Sequence, residues 1–278
     1  MPKLGILAGG GVLPRRIAER RLESGERVFV IAFEGQTDPA TVEGLEHAWM
    51  RLGATGAALK RLKEASVEEV VMAGPMRRPA FSDLTLDMRS VKALARAGRK
   101  AFGDDGLLSL IIEEIERDGF RVVGIDDVLG GYLMPAGAIT ESRPDENAEQ
   151  DIARGLEVLA ALSPADVGQA VVVQEGLVLA VEAVEGTDAM VARAGDVKRS
   201  GAPGPILVKT RKRGQERRAD LPTIGVETVR GAIASGFRGI AVETGATIVI
   251  DREAVVEAAD AAGLFVSGIV AAEPGEET

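Results

Sequence analysis

Short apolar runs alternate with segments of helical periodicity along the first half of the chain. Lys3–Ala8, Arg27–Phe33 and Glu69–Ala73 are apolar and of strand length, so they predict β-strands. Residues from about Leu13 to Glu23 and from Thr55 to Ala65 carry apolar side chains on one helical face, which predicts helices. Such alternation is typical of a doubly wound, Rossmann-like α/β layer.

The second half shows a more mixed pattern. Gln169–Val173 and Leu177–Val184 predict two strands, and the intervening Gln174-Glu175-Gly176 indicates a hairpin turn. The remaining predicted elements are strands at His47–Leu52, Arg121–Ile125, Ile206–Thr210, Gly239–Glu243 and Thr247–Ile250, and helices at Leu86–Arg99, Asp105–Asp118, Asp145–Leu162, Val226–Ser235 and Arg252–Ala262.

A linker is predicted between the two halves. The segment from Tyr132 to Asn147 contains glycine, two prolines and mixed charges. We therefore expect two domains, a Rossmann-like domain over residues 1–132 and a mixed α/β domain over residues 133–278.

Composition narrows the chemistry. The net charge is −10, so a nucleic-acid backbone would be repelled and we expect no nucleic-acid partner. The chain has no cysteine and a single histidine, His47. Thiolate chemistry and imidazole-rich metal sites are excluded, and a Ser-His-Asp hydrolase would need His47 as its base. A metal would have oxygen ligands, which suits Mg²⁺ and also Mn²⁺.

Location is also suggested by the pattern. Glycines interrupt the first residues too early for an export segment, and no run approaches the ~20 apolar residues that span a bilayer. We expect a cytoplasmic protein that can still touch a membrane surface.

Two glycine-containing loops follow predicted strands of the first half. Gly10 and Gly11 precede Leu13 and Pro14 at a strand-to-helix junction, where backbone can approach a phosphate. Pro14 occupies the third glycine position of a dinucleotide fingerprint, so a plain tight turn is the alternative. The second loop could bind a diphosphate or be a proline-stiffened surface loop, and it contains Gly74, Pro75, Met76 and Arg77.

Carboxylates stand at two predicted helix starts. Gly103, Asp104 and Asp105 precede a strong helix, where an Asp caps the helix but paired carboxylates could also hold Mg²⁺ or a ribose hydroxyl. In the second half, oxygen-bearing side chains gather where a strand turns into a helix, which fits a Mg²⁺ site, a phosphate cradle or an ordinary helix start; they are Glu185, Thr187 and Asp188, with Gly186 between them. Glu182 comes just before this turn, where strand alternation places it on the face opposite to Val181.

A basic segment stands out against the acidic background. Lys209 to Arg218 holds six Lys or Arg in ten residues and leads into Asp220. It could be a solvated loop, an anion-binding site or a membrane-surface contact. An Asp beside cations stays ionised, which suits a metal ligand or a group that orients water.

Several of these segments together resemble one enzyme family. The block from Gly168 to Gly225, with the AGGGVLP, GPMRRP and GDDGLL segments, is similar to the UDP-2,3-diacylglucosamine pyrophosphatases of the LpxI type. The resemblance covers nearly the whole chain in order. It implies Mg²⁺-dependent hydrolysis of a lipid-linked nucleotide sugar to UMP and 2,3-diacylglucosamine 1-phosphate (lipid X) in bacterial lipid A synthesis. Water would attack the phosphorus on the sugar side.

The resemblance also implies a nucleotide-binding first domain, a catalytic and lipid-binding second domain, and substrate between them. Peripheral contact with the inner face of the inner membrane follows from the lipid substrate, and a homodimer is a further option. The candidate catalytic residues are Asp220, Asp188 and Lys209, with Asp220 and Asp188 also as metal ligands. Candidate substrate-binding residues are Gly10, Gly11, Leu13, Pro14, Gly74, Pro75, Met76, Arg77, Gly103, Asp104, Asp105, Gln169, Glu185, Gly186, Thr187, Gln215 and Thr223.

Two other classes of function stay open at this point. A nucleotide-cofactor oxidoreductase could use the Rossmann-like layer, although Pro14 argues against it. A non-catalytic lipid-binding protein would retain lipid without releasing UMP.

Overall fold

A computed structural model describes residues 2–76, 87–97, 104–212, 218 and 221–271. The chain divides into two compact units. The first comprises Met1–Gly130 together with Arg218, and the second comprises Gly131–Gln215 and Leu221–Thr278. Among the helices of the described residues, none is long and apolar enough to cross a membrane.

The first unit is built on a five-stranded parallel sheet of order β3-β2-β1-β4-β5. Its strands are β1 (Leu4–Ala8), β2 (Val28–Phe33), β3 (His47–Met50), β4 (Glu69–Ala73) and β5 (Arg121–Val122). Its helices are α1 (Leu13–Glu23), α2 (Pro39–Val42), α3 (Thr55–Glu64), α4 (Met88–Ala97), α5 (Asp104–Arg117) and α6 (Ile125–Val128).

Burial explains why these runs form a parallel sheet. All five residues of β1 are buried, as expected where helices cover both faces of a parallel sheet. On one face, Leu59 and Leu62 of α3 pack with Ile112 and Ile115 of α5 against the strands. Chain order reverses at β1, whose neighbours are β2 and β4. The predicted doubly wound layer is therefore present, with its switch point between β1 and β4.

The predicted strand Arg121–Ile125 is wrong in its second half. Only Arg121 and Val122 pair with β4, and α6 begins at Ile125. The Asp127 carboxylate accepts a hydrogen bond from the Gly124 N–H at 3.1 Å, which satisfies a free donor at the helix start. Apolar Val123 and Ile125 are buried all the same, so their pattern does not distinguish a strand from a buried turn.

The second unit contains a six-stranded mixed sheet of order β6-β13-β11-β9-β7-β8. Its strands are β6 (Gly137–Ala138), β7 (Ala170–Gln174), β8 (Leu177–Val181), β9 (Ile206–Lys209), β11 (Gly239–Glu243) and β13 (Phe265–Ile269). A separate two-stranded parallel sheet joins β10 (Thr223–Ile224) to β12 (Ile248–Val249). The helices are α7 (Glu146–Leu162), α8 (Thr187–Val197), α9 (Val226–Ala234) and α10 (Arg252–Ala261).

The predicted hairpin in the second unit is confirmed. β7 and β8 pair antiparallel through Glu175 and Gly176, whose φ angles are +50° and +75°. Two consecutive positive φ angles are the conformation of a type I′ hairpin turn. Asp151 of α7 accepts hydrogen bonds from both turn N–H groups, at 3.1 and 2.7 Å. A helix outside the hairpin thus fixes its turn.

Two details of the second unit differ from the sequence prediction. The predicted strand Thr247–Ile250 pairs only at Ile248–Val249, and it joins β10 instead of the large sheet. The strand Phe265–Ile269 was not predicted, yet it lies between β11 and β6. Ser267 and Gly268 interrupt its apolar pattern, and Gly268 is required because a Cβ there would lie 1.9 Å from the Pro135 carbonyl oxygen.

Candidate functional site

The two predicted glycine loops of the first unit meet at the switch point of its sheet. The Gly9 N–H donates to the Ala73 carbonyl at 2.8 Å, and the Gly10 N–H donates to the Pro75 carbonyl at 2.8 Å. Both loops leave the carboxyl ends of neighbouring strands, β1 and β4. The structure therefore brings the Gly10–Gly11 and Gly74–Pro75 candidates together, in the crevice where doubly wound folds bind ligands.

Glycine is required for this contact. A Cβ on Gly9 would lie 2.4 Å from the Gly74 carbonyl oxygen, and a Cβ on Gly74 would lie 2.3 Å from the Gly10 oxygen. Gly74 also has a φ of +87°, which side chains rarely adopt. The two loops therefore touch each other through backbone.

The start of α1 completes this edge. Leu13 and Pro14 are buried, and Pro14 lies in the first turn, where its missing N–H is not needed. The first turn carries no acidic side chain and no side-chain cap. The positive end of this helix is thus suited to an anion. Met76, by contrast, is 43% exposed.

The second unit gathers charged side chains at one edge of its large sheet. β8, β9 and β11 end at this edge, while antiparallel β7 begins there. Glu182 follows β8, Lys209 ends β9 and Glu243 ends β11. All three are buried, and burying a charge is unfavourable unless it is paired or hydrogen-bonded.

Two predicted candidates, Lys209 and Thr187, are in direct contact. The Lys209 Nζ donates to the Thr187 hydroxyl at 2.8 Å, and the Thr187 hydroxyl donates to Glu182 Oε1. The second oxygen of Glu182 accepts the Gln169 N–H at 2.8 Å. Lys209, Thr187, Glu182 and Gln169 therefore form one hydrogen-bonded chain, which we call the Lys209 chain. Sequence reasoning noted Glu182 but did not select it as a site residue.

Glu243 has a different partner. Arg211 donates to it twice, from its backbone N–H at 2.8 Å and from Nε at 2.9 Å. Lys212 Nζ donates to Asp166 Oδ1 at 2.6 Å. Arg211 and Lys212 of the predicted basic segment are therefore engaged by carboxylates of the second unit, and they fix the chain as it leaves β9.

The start of α8 lies beside the Lys209 chain. Gly186 precedes the helix with a φ of +81°, and Thr187 and Asp188 are its first residues. Asp188 is exposed. Glu185 is also exposed; its own backbone N–H and the Arg193 guanidinium, at 2.7 Å, hold the pKa of its carboxyl below the ordinary value. This edge thus combines a buried ammonium with the positive end of a helix.

Comparison with known proteins assigns the family. The LpxI N-terminal domain matches residues 3–132 and the LpxI C-terminal domain matches residues 135–267. UDP-2,3-diacylglucosamine pyrophosphatase LpxI of Caulobacter vibrioides is 40% identical over 277 residues, which cover 97% of this chain and 98% of that protein. The chain belongs to the LpxI family.

Two solved structures of other proteins show only a low likeness to this chain. The biotin carboxylase subunit of pyruvate carboxylase is 12% identical with a TM-score of 0.27, over 63% of this chain and 35% of that one. An isoflavone reductase is 12% identical with a TM-score of 0.30, over 97% of this chain and 78% of that one. At these scores neither likeness carries an argument about the LpxI chain.

Some candidates of the LpxI chain are not tested by these contacts. Arg77, Gly103, Gln215 and Asp220 lie outside the described residues, as do the side chains of Asp104 and Asp105. Thr223 lies in β10, where its hydroxyl donates to the Leu221 carbonyl at 3.1 Å, a local turn contact. Its predicted role in substrate binding stays a prediction.

Mg²⁺ takes oxygen ligands, and the described residues near Lys209 and the start of α8 include carboxylates, which are ligands of that kind. No group of three or more acidic or histidine side chains clusters within the described residues. Mg²⁺ is commonly held by one or two carboxylates together with substrate phosphates and water, so a larger cluster is not required. Asp188 provides one exposed carboxylate in the first turn of α8.

Proposed function

We propose that this LpxI chain hydrolyses UDP-2,3-diacylglucosamine to UMP and 2,3-diacylglucosamine 1-phosphate in bacterial lipid A synthesis. The proposal is supported by a relative of that name that aligns along both units. The observation in the structure that carries it is the buried ammonium of Lys209 at the start of α8. A diphosphate is the kind of group that such an arrangement stabilises.

The reaction requires little covalent chemistry from the protein. Water attacks the phosphorus on the sugar side, a new P–O bond forms, and the bond from that phosphorus to the bridging oxygen breaks. UMP leaves with the bridging oxygen, and the proton of the attacking water is lost to a base or to solvent. Negative charge spreads over the phosphate oxygens, so preorganised cations and N–H groups lower the barrier. We assign this stabilisation to Lys209 and to the first turn of α8.

We assign nucleotide binding to the first edge. The Gly10–Gly11 and Gly74–Pro75 loops present backbone at the switch point, and the first turn of α1 carries no acidic side chain. Backbone donors suit a phosphate and need no net positive charge nearby. The uncapped helix start supports this assignment.

We further propose that catalysis depends on Mg²⁺, held by Asp188 and Asp220. A bound Mg²⁺ would neutralise charge on the phosphate oxygens. Chelation with EDTA should abolish turnover, Mg²⁺ or Mn²⁺ should restore it, and Zn²⁺ should support it poorly because its preferred imidazole and thiolate ligands are scarce in this chain. Full turnover after exhaustive chelation would disprove the metal requirement.

We also propose that the protein is cytoplasmic and binds the inner membrane peripherally. The proposed substrate carries two acyl chains, and the segment Lys209 to Arg218 is basic. Binding to vesicles of anionic lipid should weaken as salt increases. Binding that is independent of salt would argue that the segment serves the active site or solvent instead. Sedimentation would test the predicted homodimer.

The deciding experiment is turnover of UDP-2,3-diacylglucosamine in ¹⁸O-water. The proposed attack places one ¹⁸O in 2,3-diacylglucosamine 1-phosphate and none in UMP, as measured by mass spectrometry of both products. Label in UMP would place the attack on the other phosphorus. Retention of intact lipid without UMP release under any metal would favour the lipid-binding alternative, and bound nicotinamide absorbance would favour the oxidoreductase.

Asp220 provides a second test of this function. Replacing a carboxylate that binds metal or orients water should lower kcat by roughly 10²–10⁴ and leave substrate binding intact. We therefore expect folded Asp220→Ala protein to retain the lipid substrate while turning it over very slowly. If turnover stays within a few-fold of the wild type, Asp220 has only a structural role in the local chain turn.

A further inference from the structure

Glu182 is a buried carboxylate with both oxygens engaged. It is 8% exposed and lies just after β8. Oε1 accepts the Thr187 hydroxyl and Oε2 accepts the Gln169 N–H at 2.8 Å. These contacts link the end of β8 to the start of α8 and to the residue that precedes β7.

The contact with Thr187 fixes the direction of a hydroxyl. A threonine hydroxyl has one proton and two lone pairs. Because its proton points to Glu182, a lone pair is available to Lys209, whose Nζ donates to it at 2.8 Å. Lys209 as a whole residue is only 9% exposed. One of its three N–H groups is thus directed inward, which orients the remaining two.

The other buried carboxylate at this edge is engaged elsewhere. Both oxygens of Glu243 accept from Arg211. Glu182 is therefore the carboxylate whose hydrogen bonds lead to Lys209, through Thr187. A buried ammonium needs such an arrangement, since an isolated charge loses its hydration.

The chain leaves room for this arrangement at Gly168. A Cβ there would lie 2.0 Å from the Glu182 carbonyl oxygen and 3.1 Å from the Glu182 Cβ. Gly168 has a φ of +53° as well. Glycine therefore lets the chain before β7 approach Glu182 closely enough for the Gln169 N–H to reach its carboxylate.

We propose that Glu182 is a positioning residue that orients Lys209 through the Thr187 hydroxyl for reaction at the diphosphate. This inference rests on the proposed function, and it adds a role for a residue that does not itself touch the phosphate. Glu182 would act on kcat, because the position of the ammonium matters most where charge develops in the transition state.

The same hairpin offers a matched control. Asp151 is 2% exposed and also accepts two backbone N–H groups, but at the turn of the β7–β8 hairpin. Arg238 Nη2 lies 3.4 Å from it. Asp151→Asn and Glu182→Gln therefore each remove one buried charge from an end of one hairpin, and only Glu182 is connected to Lys209.

The experiment measures kcat, KM and thermal unfolding of four variants on the full chain. Glu182→Gln and Thr187→Val should each lower kcat by about tenfold to a hundredfold with KM within about threefold. Thr187→Ser keeps the hydroxyl and should restore kcat. Asp151→Asn should lower the melting temperature while kcat stays near that of the wild type. If Glu182→Gln does not fold, the Thr187 pair carries the test.

A double-mutant comparison with Lys209 shows whether Glu182 acts by positioning the ammonium or only by stabilising the fold. With Lys209→Met as background, Glu182→Gln should lower kcat no further, because its action passes through the missing ammonium. Independent, multiplying losses would overturn the proposal, as would a Thr187→Ser variant as slow as Thr187→Val. Failure of the proposed hydrolase function can be distinguished from failure of the Glu182 proposal, because in the former case the wild-type protein itself would release no UMP.

Discussion

At the carboxyl edge of the first sheet the chain presents backbone, whereas the corresponding edge of the second sheet presents buried charge. Gly9, Gly10 and Gly74 touch peptide to peptide around the β1–β4 switch point. Lys209 and Glu182 instead lie in the sheet edge of the second unit, linked through Thr187. Backbone N–H groups suit a ligand that must be held, and a buried ammonium suits a group on which charge develops.

Because the two edges differ in this way, mutations in them should change different kinetic constants. Loss of a contact made equally in the ground state and transition state changes KM, while loss of one made mainly in the transition state changes kcat. Mutations in the glycine loops at the β1–β4 switch point should therefore act mainly on KM, and mutations in the Lys209 chain should act mainly on kcat. Variants of either edge that changed both constants alike would contradict the division.

Between the two sheet edges, the larger effect is expected at Lys209. Lys209→Met keeps an unbranched, apolar side chain in the buried position but removes the ammonium, so kcat should fall by roughly 10²–10³. Steady-state kinetics with UDP-2,3-diacylglucosamine would measure this. Lys198→Met is the control, because Lys198 is exposed and donates to the Ser235 carbonyl. If both variants retain full kcat, the chemistry does not depend on this edge.

A smaller effect, on KM, is expected at Gly10. A Cβ there would lie 3.3 Å from the Gln36 carbonyl oxygen and 3.5 Å from the Pro75 oxygen, so the fold can accommodate it with slight adjustment. The methyl group would nevertheless stand beside the surface that a nucleotide must approach. We expect Gly10→Ala to raise KM roughly tenfold with kcat nearly unchanged.

The control for Gly10 is Gly231→Ala. Gly231 lies in α9, and a Cβ there would meet nothing within 4 Å. Alanine favours helix over glycine, so this variant should be slightly more stable and fully active. If Gly10→Ala protein has the KM of the wild type, the nucleotide does not bind at the glycine loops of the first unit.

Sequence reasoning found the backbone edge and half of the charged edge. Glycines after a strand indicate a phosphate loop from local spacing alone, so the sequence predicts Gly10 and Gly74 as candidates. Lys209 and Thr187 were also selected. Glu182 was passed over because its value depends on a contact with Gln169, thirteen positions earlier, and with the start of α8. Pairing across a sheet is not encoded in local spacing.

The misjudged elements have the same origin. Arg121–Ile125 is apolar enough for a strand, but β5 stops at Val122 and the Asp127 carboxylate turns the chain into α6. Phe265–Ile269 was missed since Ser267 and Gly268 weaken its pattern, although β11 pairs with all five of its residues. Tertiary contacts decided both cases against the local signal.

A buried carboxylate of the first unit, Glu114, should contribute to the free energy of unfolding. Glu114 of α5 is 4% exposed and accepts hydrogen bonds from Arg89 at 3.1 Å and Arg117 at 2.6 Å, with Arg96 also in contact. Glu114→Gln should lower the free energy of unfolding by about 1–3 kcal/mol at pH 7, because hydrogen bonds to a buried charge are weakened. Urea unfolding followed by Trp49 fluorescence would measure it, since Trp49 is the single tryptophan and lies in β3.

The neighbouring Glu113 provides the control. Its carboxylate is 59% exposed and 3.3 Å from Arg117, so Glu113→Gln should change the free energy of unfolding by less than about 0.5 kcal/mol. Kinetic constants of both variants should match the wild type. A change in kcat for Glu114→Gln would mean that α5 contributes to the site, and the division between edges would need revision.

The smallest effect is a pH dependence of the same network. Burial alone would raise the pKa of Glu114, but hydrogen bonds from Arg89 and Arg117 and the charge of Arg96 outweigh it and hold that pKa below the ordinary value. The pKa of Asp118 is likewise lowered, since Lys63 and Arg89 outweigh its burial. A carboxyl with a depressed folded-state pKa stabilises the fold above its unfolded pKa, and this stabilisation is lost as pH falls through the folded value.

We therefore expect the Trp49 unfolding transition to move to lower urea as pH falls below about 5. In Glu114→Gln one of the titrating groups is absent, so the loss of stability over this window should be shallower than in the wild type. Parallel slopes for wild type and Glu114→Gln would show that the arginines do not stabilise the ionised form of Glu114 in the fold.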